Sequence, residues 1–238
     1  MLMLAAWGLV MNGSKSISVR RTILVLGASL FCASFAAGGL AAGLGIAENL
    51  VLAASTGVIG EPLPLGKIIK ALPALKRQAR SDGVMDFARA IMTTDTVPKA
   101  VSRQVATATG QFTVTAVAKG AGMIRPDMAT MLCFVMTDIA AEPQLLKEML
   151  LAAADRTLNR ITVDGDTSTN DTALLIANGL SGAVITSDAD RKKFQGILDA
   201  VLMSLARQLI KDGEGATKLV EIAVKGAGSD ADAYQIAD

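Results

Sequence analysis

The stretch Lys119-Gly-Ala-Gly-Met-Ile-Arg-Pro-Asp-Met-Ala129-Thr130-Met-Leu-Cys-Phe sets a hydroxyl residue, preceded by a small one, at the start of a strand-like apolar run. A glycine-rich approach bearing a lysine leads into it. The chain contains no histidine, so a threonine here has few ways to become a nucleophile. One is release as a new N-terminus, whose own α-amine then serves as the base. Ala129 is small enough to leave its carbonyl open to attack by the Thr130 hydroxyl. Cleavage at Ala129–Thr130 would make this an acyl-transfer site. The alternative is an ordinary strand-start threonine, a residue type common in sheets.

Other polar segments are weaker signals. Ser55-Thr56-Gly57-Val-Ile-Gly60 reads as a tight turn after a short apolar run. Asp164-Gly-Asp-Thr-Ser-Thr-Asn-Asp171 is rich in carboxylates, but it lacks the register and later glutamate of a calcium loop. It is expected to be a turn that caps a helix starting near Asp171 and borders the active site. Gly213-x-Gly215 fits a polar loop, without the spacing of a phosphate loop, and the glycines at 38–45 lack the dinucleotide fingerprint. Without histidine there is no His-ligated zinc site, and no carboxylate spacing suggests another metal.

Alternating α and β segments must position these residues. Leu50–Ala54 is a short apolar run. Leu65–Arg80 has helical periodicity and a basic C-terminal end. Ser81 or Asp82 would cap a second helix through Ala90, and Ile91–Thr96 would return to a strand. Thr113–Ala118 alternates like a half-buried strand, and Thr130–Thr137 is a continuous apolar strand of the buried kind. Glu142–Asn159, Asn170–Asn178 and Asp188–Ile210 are expected helices. Glu221–Val224 would be a last strand, and Ser229 onward resembles the start of another helix. The order lacks a regular βαβ rhythm, so the fold class is α/β, as a layered α+β sandwich.

Composition narrows the function classes. Apolar residues make up 51% of the 238, charged ones 19%, and the net charge is +1. That describes a core-rich globular chain, not an electrostatic nucleic-acid binder. Aromatics at 3% leave few stacking surfaces for single-stranded nucleic acid. Cys32 and Cys133, far apart and in no CxxC pattern, fit a reducing compartment. Residues 22–47 carry no charge and follow Arg20-Arg21. By hydropathy they are a membrane-span or export-signal candidate, or else a buried element.

Four segments together resemble the ornithine acetyltransferase (ArgJ) family of arginine biosynthesis, in the family's order and near its spacing. They are Ser55–Pro64, Ala90–Lys99, Lys119–Leu132 and Ile161–Asp171. The likeness runs from about Ala42 to the end. Residues 1–41 do not match the family's N-terminal region, and family members continue past Asp238. The expected organisation is therefore an atypical apolar segment at 1–41, an α-chain-like part at 42–129 and a truncated β-chain-like part at 130–238.

The resemblance implies a self-processing fold and cleavage between Ala129 and Thr130 into two chains that stay associated, two such pairs forming a heterotetramer. It implies acetyl transfer from N-acetylornithine to glutamate through acetyl-Thr130. Thr56 and Gly57 would form the oxyanion hole, and Thr96, Lys119, Thr130 and Glu214 would contact substrate. Thr94 is the alternative to Thr96, and a solvated surface lysine the alternative for Lys119. No cofactor is implied, although some relatives accept acetyl-coenzyme A as donor. The location implied is cytoplasmic, with membrane association or export through residues 22–47 as the alternative. Two rival readings remain. One is a related self-processing aminopeptidase or amidase; the other is an inactive fragment.

Overall fold

The computed structural model describes residues 23–26 (backbone only), 38–54, 56, 64–125, 131–167 and 171–237. A central sheet of four strands runs in the order β3 (Lys99–Thr107), β4 (Gly110–Lys119), β5 (Leu132–Thr137) and β6 (Thr172–Ala177). The first three are antiparallel neighbours, while β6 pairs parallel to β5. Gly110 closes the β3–β4 hairpin at φ +147°, a backbone conformation that a side chain would resist. The parallel step from β5 to β6 needs a long crossover, and the helix α4 (Pro143–Arg156) provides it.

Both faces of the sheet are covered. Alternate residues of β4 and β5, Val114, Ala116, Ala118, Cys133 and Val135, pack against α4 and the helix α5 (Asp188–Lys211). The intervening Val117, Leu132, Phe134 and Met136 pack with Phe87 and Ile91, on and just after α3 (Val84–Ala90), and with Ala54 of β2 (Val51–Ala54). Phe112 meets Phe194 with ring centroids 5.7 Å apart, and Phe87 meets Phe134 at 5.2 Å. Each pair adds about 0.5–1.5 kcal/mol beyond its area burial and ties one helix layer to the sheet.

Helix α5 shows why the sequence folds this way. Ser187 and Asp190 form a reciprocal capping box at its start. Phe194, Leu198, the pair Val201 and Leu202, Leu205 and Leu209 then recur at helical spacing along one face and are all fully buried.

A smaller cluster lies apart from the sheet. Residues 38–44 form a helical stretch, α1, whose Leu40 and Ala41 pack on Val51 and on Ile68 and Leu72 of α2 (Leu65–Gln78). Strand β1 (Ile23–Leu26) pairs parallel with β2. The uncharged stretch at 22–47 thus contains one strand and one short helical stretch, with its middle outside the described residues. Among the described residues no helix is long and apolar enough to cross a membrane.

The layered α/β expectation holds, and several local expectations do not. Residues 172–177, expected within a helix, form β6. A parallel strand that is partly buried at every position shows no period-two alternation, so its pattern resembles a helix. The segment after Ile91 is a run of turns, because the Asp95 carboxylate accepts the Thr93 N–H and curls the chain. Strand β4 is buried on both faces from Val114 onward, not half-buried. Helix α3 starts after Gly83 with no side-chain cap, so neither Ser81 nor Asp82 fills that role. Residues 221–224 are irregular and mostly exposed, not a strand, and α6 (Asp230–Ala237) follows as expected.

Candidate active site

At one end of the sheet the two helix layers meet around a set of buried ions. In the register Lys99 faces Ala118, on the α5 side, and Lys119 faces Leu132, on the α3 side. Both lysines are at most 1% exposed. An ammonium so deprived of water must find acceptors, and the sequence supplies them from three distant segments.

Lys119 Nζ donates to Thr56 Oγ1 at 3.0 Å and to Thr93 Oγ1 at 3.4 Å. Thr56 lies just past β2, whose Ala54 packs on the same side of the sheet. Burial pushes the Lys119 ammonium below its ordinary value, and Lys99 adds to that; attraction to Asp95 and Asp171 offsets part of it.

Lys99 Nζ bridges two carboxylates, Asp95 Oδ1 at 2.6 Å and Asp212 Oδ2 at 2.5 Å. Asp95 also accepts the Gly120 N–H at 2.7 Å and the Thr93 N–H at 3.1 Å. Burial alone would raise Asp95, but these donors together hold it below the usual carboxylate range. Asp212, one residue past α5, accepts the Thr96 N–H at 3.0 Å and the Thr96 hydroxyl. It too lies below its ordinary value, as Lys99 and Thr96 outweigh its burial.

Two further carboxylates flank the loop that follows Lys119. Glu214 donates its backbone N–H to Ala121 O at 2.7 Å, and its carboxylate lies against Gly122. A Cβ at Gly122 would come within 3.0 Å of that carboxylate, so glycine is what admits it there. Asp171 accepts the Met131 N–H at 2.8 Å, directly after Thr130 in sequence. Its surroundings push Asp171 up to about 6 by desolvation, against the pull of the Met131 N–H and Lys119.

Of the expected site residues, Thr56 meets Lys119 and Glu214 meets Gly122, while Thr96 is linked to the same segment through Asp212, Lys99 and Asp95. Gly57, Ala129 and Thr130 lie outside the described residues. The Asp164–Asp171 segment borders the site as expected, but the element that follows Asp171 is strand β6 and not the expected helix. Asp164 accepts the N–H groups of Met123, at 2.6 Å, and Ile124, at 3.1 Å. That holds Met123 at φ +52°, unusual for a bulky residue. Among the described residues no cluster of acidic or cysteine side chains could hold a metal ion.

Asp95, Lys99 and Asp212 were not anticipated from the sequence. The available signal was a lysine directly before a short apolar stretch, Lys99-Ala-Val, where a charge has no reason to be buried unless paired. The arrangement as a whole can hold fixed positive charge beside a hydroxyl, present a carboxylate at an open edge, and anchor the backbone next to residue 130.

Comparison with known proteins gives a consistent result. The model of the ArgJ family matches residues 32–238. The arginine biosynthesis bifunctional protein ArgJ of Geobacter sulfurreducens is 50% identical over 196 residues, covering 82% of this chain and 50% of that protein. The protein of the same name from Symbiobacterium thermophilum is 48% identical, covering 82% and 49%. The crystal structure of the Bacillus halodurans protein of that name matches at 35% identity and a TM-score of 0.39, over 44% of this chain and 60% of that one. The chain spans about half the length of the curated relatives it matches.

Proposed function

The chain belongs to the ArgJ family, and from that premise we propose that it carries acetyl-transfer chemistry through a self-generated N-terminal threonine. Thr130 Oγ attacks the Ala129 carbonyl carbon, the peptide C–N bond breaks, and the acyl group moves to oxygen. Water then hydrolyses that ester, freeing Thr130 with its α-amine. The amine takes the hydroxyl proton as Thr130 attacks the acetyl carbonyl of N-acetylornithine. Ornithine leaves with that proton on its amine; the glutamate amine then attacks acetyl-Thr130, the ester C–O bond breaks, and the amine proton passes through the Thr130 α-amine to Oγ, giving N-acetylglutamate and the free hydroxyl.

The observation that carries this reading is the hydrogen bond from buried Lys119 to Thr56 Oγ1 at 3.0 Å. Because Thr56 oxygen accepts from an ammonium, its own O–H proton is left to donate. A preset donor is what a developing oxyanion needs, and Gly57 would add a backbone N–H. In the same reading Thr96, Lys119 and Glu214 contact the substrates, Glu214 taking an ammonium group.

The strands on either side of residue 130, β4 and β5, pair directly. This supports treating 42–129 and 130–238 as two chains that remain together after cleavage, the described part of 1–41 being packed onto the first through β1 and Leu40. The same reading implies a heterotetramer of two cleaved pairs in the cytoplasm, with acetyl-coenzyme A as an optional donor. The test is incubation of the purified protein with N-acetylornithine and glutamate. Formation of ornithine and N-acetylglutamate in equal amounts is the expected result. Release of free acetate without transfer would favour an amidase, and no turnover at all would refute the assignment for this chain.

A further inference from the structure

Among the described residues, every polar group that meets the Asp212 carboxylate is a donor: the Thr96 N–H at 3.0 and 3.3 Å, the Thr96 hydroxyl, the Val97 N–H at 3.5 Å and Lys99 Nζ at 2.5 Å. The Lys99 ammonium and the backbone N–H groups of Thr96 and Val97 all favour the ionised carboxylate, which can only accept. Lys99, itself fully buried and held on its other side by Asp95, fixes the charge in place. Both donors of Thr96, its N–H and its O–H, are therefore consumed by Asp212. Thr96 is an exposed residue, and what its hydroxyl can still offer is lone pairs.

We infer that Asp212, locked by Lys99, sets Thr96 Oγ1 as an obligate acceptor, so that this position selects a substrate bearing an N–H donor. Asp212 and Lys99 are positioning residues here; Thr96 makes the contact. The polarity is the reverse of Thr56, whose oxygen accepts from Lys119 and whose proton is left to donate. A site with one hydroxyl of each polarity discriminates a secondary amide or amine, which donates through N–H, from a tertiary amide, which has only a carbonyl to present. This inference rests on the proposed acetyl-transfer site and names the group that its Thr96 corner recognises.

The N–H could come from the acetamido group of the acyl donor or from the amine of the acceptor, and two pairs of probes separate them. Selectivity is read on the self-processed protein with Thr130 intact, as KM for the N–H member of each pair and as the competitive inhibition constant of the member that lacks it. The first pair is N-acetylornithine and its N-methylated acetamide; the second is glutamate and its N,N,N-trimethyl betaine, which keeps the positive charge that Glu214 meets but has no N–H. One pair should show a preference of roughly tenfold for the N–H form, the cost of one hydrogen-bonding group left unmatched. In Thr96→Val that ratio should fall close to one, and in Thr96→Ser it should persist. Asp212→Asn is nearly isosteric but can donate to Thr96, so it should also flatten the ratio. A purely structural role for Asp212 would weaken both members of a pair alike and leave the ratio intact, which overturns the inference. A flat ratio in the parent protein overturns it as well. If acetyl transfer by the unmutated protein is nevertheless observed, the inference fails alone. If neither transfer nor binding occurs, both readings fail.

Discussion

Replacing Lys99 by methionine keeps the aliphatic stem and deletes the charge that two carboxylates share. The Asp95 and Asp212 side chains are 0% and 5% exposed, and Lys99 is 0% exposed. Removing one partner of a buried ion pair costs about 3–5 kcal/mol, because the other charge is stranded. Two charges are stranded here, although Asp95 keeps the Gly120 and Thr93 N–H groups and Asp212 keeps Thr96. Those retained donors argue for the same range and not for twice it. A loss of about 3–5 kcal/mol is a large share of the roughly 5–15 kcal/mol that holds a typical domain together.

Both carboxylates lie below their ordinary values in the intact protein. Their contribution to stability is therefore present above about pH 4 and lost as the pH falls through the depressed values. Without Lys99 burial dominates and the same groups rise, so acidification relieves the variant. The assay is urea unfolding followed by circular dichroism at pH 7 and near pH 4. The destabilisation should be about 3–5 kcal/mol at pH 7 and distinctly smaller at pH 4. Lys99→Arg, which keeps the charge, should recover part of the loss. A change below about 1 kcal/mol at pH 7, the scale of an exposed pair, would refute the reasoning. So would a loss that does not shrink at acid pH.

Three further outcomes follow from particular contacts. Gly122→Ala should displace the Glu214 carboxylate, which lies 3.0 Å from the new methyl position. Because that carboxylate is the far end of a flexible side chain, steady-state kinetics should show KM for an amino substrate rising roughly ten- to a hundred-fold, the cost of one charge-assisted hydrogen bond, with the melting temperature little changed. Asp171 is pushed up to about 6, so folding takes up a proton there, and its contribution favours the fold below about pH 4 and is lost as the pH climbs through 6. Asp171→Asn should remove that part of the slope of stability between pH 4 and 6, read from urea midpoints across the range. Cys133 is fully buried and its thiol is pushed up to about 12 by desolvation. In a Cys32→Ser background it should resist thiol reagents until denaturant is added; rapid labelling of the native protein would contradict that burial.

How much of the site the sequence reveals depends on whether a residue's role is local. Thr56, Lys119, Thr96 and Glu214 sit in short segments with distinctive neighbours, and the fold brings all four to one sheet end. Asp95, Lys99 and Asp212 gain meaning only from each other, and Lys99 and Asp212 are 113 positions apart. No pattern within a window could link a lysine opening a strand to an aspartate closing a helix. The same limit governs the elements. Helix α5 carries a capping box and an apolar stripe, both local, and was legible to within a residue or so at its ends. Strand β6 owes its conformation to pairing with β5 and was read as a helix. Strand β3 was missed because Ser102, Arg103 and Gln104 face solvent in succession and interrupt its alternation.

The most direct test of the central claim is intact-mass spectrometry of the purified protein beside Thr130→Ala, before and after N-acetylornithine is added. The account expects two fragments broken at Ala129–Thr130 in the parent protein. It expects the fragment that begins with Thr130 to gain the mass of one acetyl group, and the variant to remain a single uncut chain. A single full-length mass in both proteins, with no acetyl adduct, would contradict it.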